Sequence, residues 1–234
     1  MTDPNIFVAT PEAKGKAKQL RIYAFVAWIV AMAAQVFAIL KLIRDDKLVL
    51  MIIAIVAILA TAIVGSTFWK KSNKLDPTSE KNPTRFFLQN QLGAIMGVMC
   101  LLPMVIMIFT SNTISGKTKA IAGSAAAVAM TAAGISGVEF DAASIEKYTA
   151  EIKKQNKEAQ SFGINSGLVY WSKAGNKYHA FNDCQYIKGK SVSSGSIKES
   201  WEQKGISELC KVCKKKAEKT STTSDVKELI EVEN

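Results

Sequence analysis

Four apolar blocks in the first 140 residues constrain this chain more than any other feature. Leu20–Ile43 runs 24 residues with no charge between Ile22 and Leu40. At about 1.5 Å per residue a helix of that length covers roughly 36 Å, enough to cross a hydrocarbon core of roughly 30 Å. Leu48–Phe68 holds no charged residue, and Phe86–Phe109 starts amphipathically at Gln89, Asn90 and Gln91 and contains Pro103. Ala120–Val138 is built largely from Ala, Gly, Ser and Thr. A lipid core offers no partner to a backbone N–H or C=O, so each block must bond internally, which an α-helix does. The overall mean hydropathy of +0.11 hides this, because the apolar residues are concentrated rather than spread.

Ala31-Met32-Ala33 after the basic Lys14, Lys16, Lys18 and Arg21 imitates a signal-peptidase site. The apolar run continues past it to Leu40 and a second block follows, so the first helix reads as an anchor. Basic residues orient the spans. Four lie in the N-terminal arm, five in loop 69–91 (Lys70, Lys71, Lys74, Lys81, Arg85) and four after the fourth block (Lys147, Lys153, Lys154, Lys157). The opposite side has Lys41, Arg44, Lys47, Lys117 and Lys119. Thirteen against five places both termini in the cytoplasm, which an even number of spans allows.

No span interior holds Asp, Glu, Lys, Arg or His, the groups that ion-coupled carriers and proton relays place inside a bundle. Gln35 is the strongly polar residue in mid-span of the first helix, expected to bond a neighbouring helix. Gly93 and Gly97 form a G-x-x-x-G, and Gly123, Ala127 and Thr131 a further small-residue stripe, both suited to close helix packing within a chain or between copies. Cys100 reads as a small packing residue. Gly116-Lys117-Thr118 resembles the end of a phosphate loop, but Ser111 stands where that loop needs its first Gly.

The composition turns polar at Asp141. Ser144–Gln160 mixes helix formers with both signs of charge, with Glu151 placed to meet Lys147 and Lys154, and Lys154 to meet Glu158: a solvated stalk helix. Ser161-Phe162-Gly163 and Asn165-Ser166-Gly167 break it. Leu168–Ser172 and Lys177–Ala180 read as strands of a hairpin around Lys173-Ala174-Gly175-Asn176. Ser196–Lys204 reads as a helix with Gly205 at its C-cap. Tyr170, Trp171, Tyr186 and Trp201 are mostly core in so small a module. Thr220–Ser224 reads as disordered, and Asp225–Asn234 as a short acidic tail with one or two helical turns.

Fifty residues seldom bury enough apolar surface to fold alone, and a reducing cytoplasm does not supply disulfides. Metal ligands are present instead. His179-x4-Cys184 and, twenty-five residues on, Cys210-x2-Cys213 supply one imidazole and three thiolates, a donor set suited to a tetrahedral Zn2+ with no open position. These are the chain's only histidine and all its cysteines outside the spans. A redox C-x-x-C would leave His179 and Cys184 unexplained. With the histidine used as a ligand, no Ser-His or Cys-His pair can be assembled, and neither an H-E-x-x-H nor a dinucleotide glycine fingerprint is present.

Val169-Tyr170, Gly175, Lys177-Tyr178-His179, Asp183-Cys184-Gln185-Tyr186, Ser194-Gly195-Ser196, Gly205 and Leu209-Cys210-Lys211-Val212-Cys213 together resemble the small bacterial zinc module related to the metal-binding domain of the Ada methylphosphotriester repair protein. The resemblance covers about Leu168–Lys216. It implies a fold and a zinc site, not the methyl transfer, because His179 stands where the repair domain has its first cysteine.

The expected architecture is an α-helical polytopic membrane bundle with a small cytoplasmic α+β zinc-binding domain. Its parts are an arm (1–19), four spans within 20–140 (about 20–43, 48–68, 86–109 and 120–138), a stalk and linker (141–167), an Ada-like zinc module (168–217) and a tail (218–234). The expected location is a bacterial cytoplasmic membrane. The leading functional expectation is a non-enzymatic scaffold or interaction partner with one structural Zn2+. Its expected partners are the bilayer and either a second copy or another subunit of a membrane complex, and no small-molecule substrate is identified. A channel or transporter component stabilised by the zinc module is the first alternative. A membrane-proximal DNA-associated protein is the second, suggested by Lys211, Lys214, Lys215 and Lys216 beside the knuckle.

Overall fold

The computed structural model describes residues 5–161, 164, 167–206 and 208–219. The expected chain break at Phe162, Gly163, Asn165 and Ser166, the disordered stretch after Lys219 and the acidic tail lie outside them. The chain divides into two compact units: a helical unit, Lys14–Ser144, and a polar unit made of Met1–Ala13 with Ile145–Asn234.

Five helices carry the apolar part: α1 (Pro11–Leu42), α2 (Leu48–Leu75), α3 (Pro83–Met99), α4 (Leu102–Thr110) and α5 (Gly116–Gly137). They make four helices long and apolar enough to cross a membrane, Pro11–Leu42, Asp45–Leu75, Pro83–Thr110 and Gly116–Gly137, as in a multi-pass membrane protein. The Thr10 hydroxyl accepts from Ala13 N at 3.1 Å to open α1, and Pro11 follows where its missing N–H has no consequence. Asn82 caps α3 in the same way by accepting from Arg85 N, with Pro83 next. The third span is interrupted between α3 and α4 at Cys100 and Leu101, because Pro103 has no N–H for a continuous helix and its ring crowds the preceding turn. Gly116-Lys117-Thr118 is the first turn of α5: Ser115 accepts from Thr118 N, and its own N and Oγ donate to Asp45 at 2.9–3.0 Å.

The outer surface of these helices is as apolar as their interior. Leu40 and Val49 are each 72% exposed, and Phe37, Ile53, Val128 and Ile135 are exposed with them. Water would penalise such a surface, and hydrocarbon accepts it. Inside, Trp28, Met51, Ile55, Ile58, Leu101, Met104 and Ile108 are fully buried. The small residues allow the close approaches. A Cβ on Gly97 would lie 2.7 Å from the Ala133 carbonyl oxygen, one on Gly137 would lie 2.4 Å from the Gly93 backbone, and Gly65 leaves room for the Trp28 ring. The Gly93/Gly97 stripe therefore packs α3 on α5 within the chain. Cys100 is buried with its Sγ 3.9 Å from the Trp28 carbonyl oxygen. Gln35 is buried, yet its Nε2 has no hydrogen-bond partner among the described residues, contrary to the expected bond to a neighbouring helix.

The polar unit contains α6 (Ile145–Ser161), β1 (Val169–Ser172), β2 (Val192–Gly195), α7 (Ile197–Lys204) and a last helix, α8, at residues 211–219. α6 is not a free stalk. Ile152, Gln155 and Ala159 are buried, and Glu158 pairs with Lys214 of α8 at 2.6 Å. Phe7 and Ala9 of the N-terminal arm, with Ala13 in the first turn of α1, pack with Tyr148, Ile152 and Trp201. Phe7 N donates to Thr149 Oγ1 and Val8 N to Glu202. The arm is thus part of the folded polar unit. The hairpin also differs from expectation. β1 pairs antiparallel with β2, from Val169 opposite Gly195 to Ser172 opposite Val192, while the 177–180 run gives β1 one bridge, His179 to Tyr170, and turns its other bridge, from Tyr178, to Leu209. α7 has a full capping box at Ser196 and Glu199 and ends at Gly205, whose φ of 66° favours glycine. Trp171 and Trp201 are buried, whereas Tyr186 is exposed.

Candidate metal centre

Backbone bonds from two directions bring the sequence-distant ligands together. Tyr170 N donates to the His179 carbonyl at 2.8 Å and His179 N donates to the Tyr170 carbonyl at 2.7 Å, fixing the histidine beside β1. The preceding residue, Tyr178, then holds the knuckle: its N–H donates to the Glu208 carbonyl and its carbonyl accepts from Cys210 N at 2.8 Å. Lys214 N donates to the Cys210 carbonyl, so Cys210 starts α8 and Cys213 lies one turn in. Cys184 opens the turn before Gly189, with Ile187 N and Lys188 N both donating to its carbonyl at 2.9 Å.

The result is one cluster. The ligand atoms of His179, Cys184, Cys210 and Cys213 all lie within 4.8 Å of one another, and all four residues are buried. Cys213 Sγ is 3.7 Å from His179 Nδ1. Metal–ligand distances of roughly 2.0–2.3 Å give a tetrahedron with edges of about 3.5–3.8 Å, so the group could hold a metal ion, and its one nitrogen and three sulfurs are compatible with zinc. Ile187 packs in the same apolar cluster as the three cysteines, with Tyr170, Phe181, Leu209 and Val212 against it.

The protonation energetics suit a metal-dependent site. Burial pushes the Cys213 thiol up to about 12, against the backbone hydrogen bonds from Phe181 and Ala180 that favour the thiolate. Burial also lowers the His179 imidazole, and the Lys190 charge adds to this. Burial thus favours the neutral thiol at Cys213 and the neutral imidazole at His179. A cation has to displace the Cys213 proton, while the neutral imidazole is the form that ligates.

The basic cluster beside the knuckle is less available than the sequence suggests. Lys214 pairs with Glu158, and Lys216 pairs with Asp183 at 2.8 Å while lying 4.6 Å from the Phe181 ring centroid. Lys216 correspondingly holds the exposed Asp183 carboxyl below its ordinary range. Sequence reasoning missed the concavity beside the cluster, where Lys173, Lys190 and Lys211 come together from two turns and the start of α8. Its only trace in the sequence is a recurrence of lysine next to turn residues. No family model, curated protein or solved structure matches the chain.

Proposed function

We propose that this is a non-enzymatic membrane protein whose four spans display a structural zinc module on the cytoplasmic face, where it serves as a scaffold or interaction partner, as one subunit of a larger membrane assembly. The observation that carries the proposal is the closed, buried set His179, Cys184, Cys210 and Cys213. Bound there, Zn2+ supplies folding free energy, and with four protein ligands it has no position left to activate a water or a substrate. The resemblance to Ada-like bacterial zinc modules supports the same assignment of fold and metal. It carries with it a bacterial cytoplasmic membrane as the location.

The distribution of basic residues supports an orientation with both termini inside. A cysteine introduced near Asn112 should react with an impermeant thiol reagent on intact cells, and one near Asn73, at the exposed Lys81 of the same basic segment, should not. The reverse pattern overturns the orientation. The stripe at Gly93 and Gly97 packs inside the chain, which supports a bundle closed on itself over helices lining a pore between copies. Native mass spectrometry of the full chain released from membranes counts chains, metal and bound protein in one measurement. One zinc per chain in a complex with a second copy or another subunit is expected. A lone chain without zinc overturns the reading, and a lone chain that conducts ions in liposomes favours the channel.

A further inference from the structure

Beside the metal cluster lies an open cleft of about 640 Å3. Small-molecule sites usually enclose roughly 300–1,000 Å3. His179 and Cys210 line it, as do Lys173, Lys177, Lys190 and Lys211, and no Asp or Glu is among the lining residues described. Lys177 is paired with Glu208, whose carboxyl is lowered by Lys177 and, more weakly, by Lys211. Lys173 and Lys190 form no ion pair among the described residues. With Lys177 already compensated by Glu208, the ammonium groups of Lys173, Lys190 and Lys211 around one concavity repel one another until a further counter-charge enters.

The chemistry of the lysines narrows that counter-charge. The three arginines of the chain, Arg21, Arg44 and Arg85, are all elsewhere, so the cleft has no planar fork for bidentate carboxylate recognition. Ammonium groups are compact point charges that suit phosphate oxygens. The charge is also local. Lys214 and Lys216, which would extend the cationic surface along a polymer backbone, are tied to Glu158 and Asp183. Tyr186, 56% exposed on the same wall, offers a ring face to an organic group.

We propose that this cleft binds a phosphorylated small molecule, its phosphate among Lys173, Lys190 and Lys211 and its organic part against Tyr186. The phosphate belongs either to a soluble metabolite or to a lipid headgroup. The site goes beyond the scaffold reading, and it depends on the metal only because His179 and Cys210 form part of its wall.

The full zinc-loaded chain in phosphatidylcholine nanodiscs should bind ATP and pyrophosphate saturably, one per chain, in equilibrium dialysis. Lys173→Ala with Lys190→Ala should weaken ATP binding at least tenfold. Lys215→Ala, which removes a charge near the knuckle but outside the cleft, should change it less than twofold. Metal content measured in every sample separates loss of the cleft from loss of the cluster, and Lys173→Gln with Lys190→Gln replaces the alanine pair if that pair sheds zinc. Nanodiscs containing phosphatidic acid distinguish the sources: weakened ATP binding there identifies a headgroup, and unchanged binding a soluble ligand. No saturation by millimolar ATP or pyrophosphate on zinc-loaded protein overturns the proposal. So does equal weakening by Lys215→Ala, or binding of a duplex oligonucleotide that ATP does not displace.

Discussion

The helical unit and the polar unit are held together by opposite means. In the helical unit the contacts that matter are the close approaches that small residues permit: Gly97 against Ala133, Gly137 against Gly93, and Gly65 under Trp28. Hydrocarbon on the outside is as apolar as the inside, so burying leucine gains nothing there, and close van der Waals approach decides the packing. The polar unit has water around it and should profit from apolar burial, yet it musters three small clusters around Trp171, Trp201 and the cysteines. There the burial is available but the surface is not, and the four clustered side chains that could hold a metal ion stand where further core would be needed. Each unit supplies the interaction that its surroundings make scarce.

If the contrast is right, the two units fail separately. With the proposed zinc bound, the largest effect follows its removal. Structural zinc contributes roughly 10–16 kcal/mol in peptide sites, as much as the whole stability of a typical domain at about 5–15 kcal/mol. Chelation, or Cys213→Ser, should therefore unfold the polar unit of the full chain while the spans remain helical by far-ultraviolet circular dichroism. Limited proteolysis should then cut within residues 168–219 first. A module that stays resistant without metal breaks the comparison.

Overpacking the other unit is the next largest effect. Gly97→Leu forces side-chain atoms into the Ala133 backbone and should cost about 1–3 kcal/mol or more. In detergent this appears as a lower thermal midpoint, with zinc content unchanged. Val128→Leu, at a position 69% exposed on α5, should be tolerated. Equal tolerance at both positions would show that the glycine contact is incidental.

The N-terminal arm sharpens the boundary between the units. Phe7 is 3% exposed and meets Tyr148 edge-on at 5.0 Å between ring centroids. Phe7→Ala should cost about 3 kcal/mol, the low end of the range for core phenylalanines, because this cluster is small and able to collapse. Hydrogen exchange should accelerate in residues 5–13 and on α6 while the metal stays bound. Unchanged exchange would return the arm to the status of a tether.

Lys214→Ala is the smallest change. It removes a solvent-screened pair with Glu158, and the thermal midpoint should barely move. Glu158 raises the Lys214 pKa, so what the pair contributes is present below the ordinary lysine value and disappears as pH climbs through the raised one. The difference between variant and parent, measured at pH 7 and again near 11, should shrink toward zero at the higher pH.

Particular residues show where sequence reasoning stopped. The run Ser196–Lys204 with Gly205 after it announced α7 to within a residue, because a left-handed C-cap is a local device, and the structure adds a capping box at Ser196 and Glu199. The expected hairpin after Ser172 was half right: Gly175 N does bond to the Ser172 carbonyl and His179 does bridge Tyr170, but the longer pairing goes to Val192–Gly195. Val192-Ser193-Ser194-Gly195 has little β propensity of its own, and it becomes a strand because Val169–Ser172 offers an edge. Ile6-Phe7-Val8 was the visible hint of the docked arm, an apolar triplet in an otherwise polar stretch, with nothing local to say where it goes.

Composition and spacing by themselves determined that four helices are long and apolar enough to cross a membrane, and that His179, Cys184, Cys210 and Cys213 are the donors a single metal site would use. Both follow from properties carried by residues in order: hydrocarbon demands unbroken apolar length, and a metal demands particular atoms. Tertiary structure alone decided that the glycine stripe packs within the chain, that α6 and the N-terminal arm join the polar unit, and that three lysines from separate segments share one cleft. These depend on contacts such as Phe7 with Thr149 or Val169 with Gly195, between segments far apart in the chain. No period or motif encodes such a pairing. Whether it forms is decided by which surfaces remain uncovered once the local elements have folded.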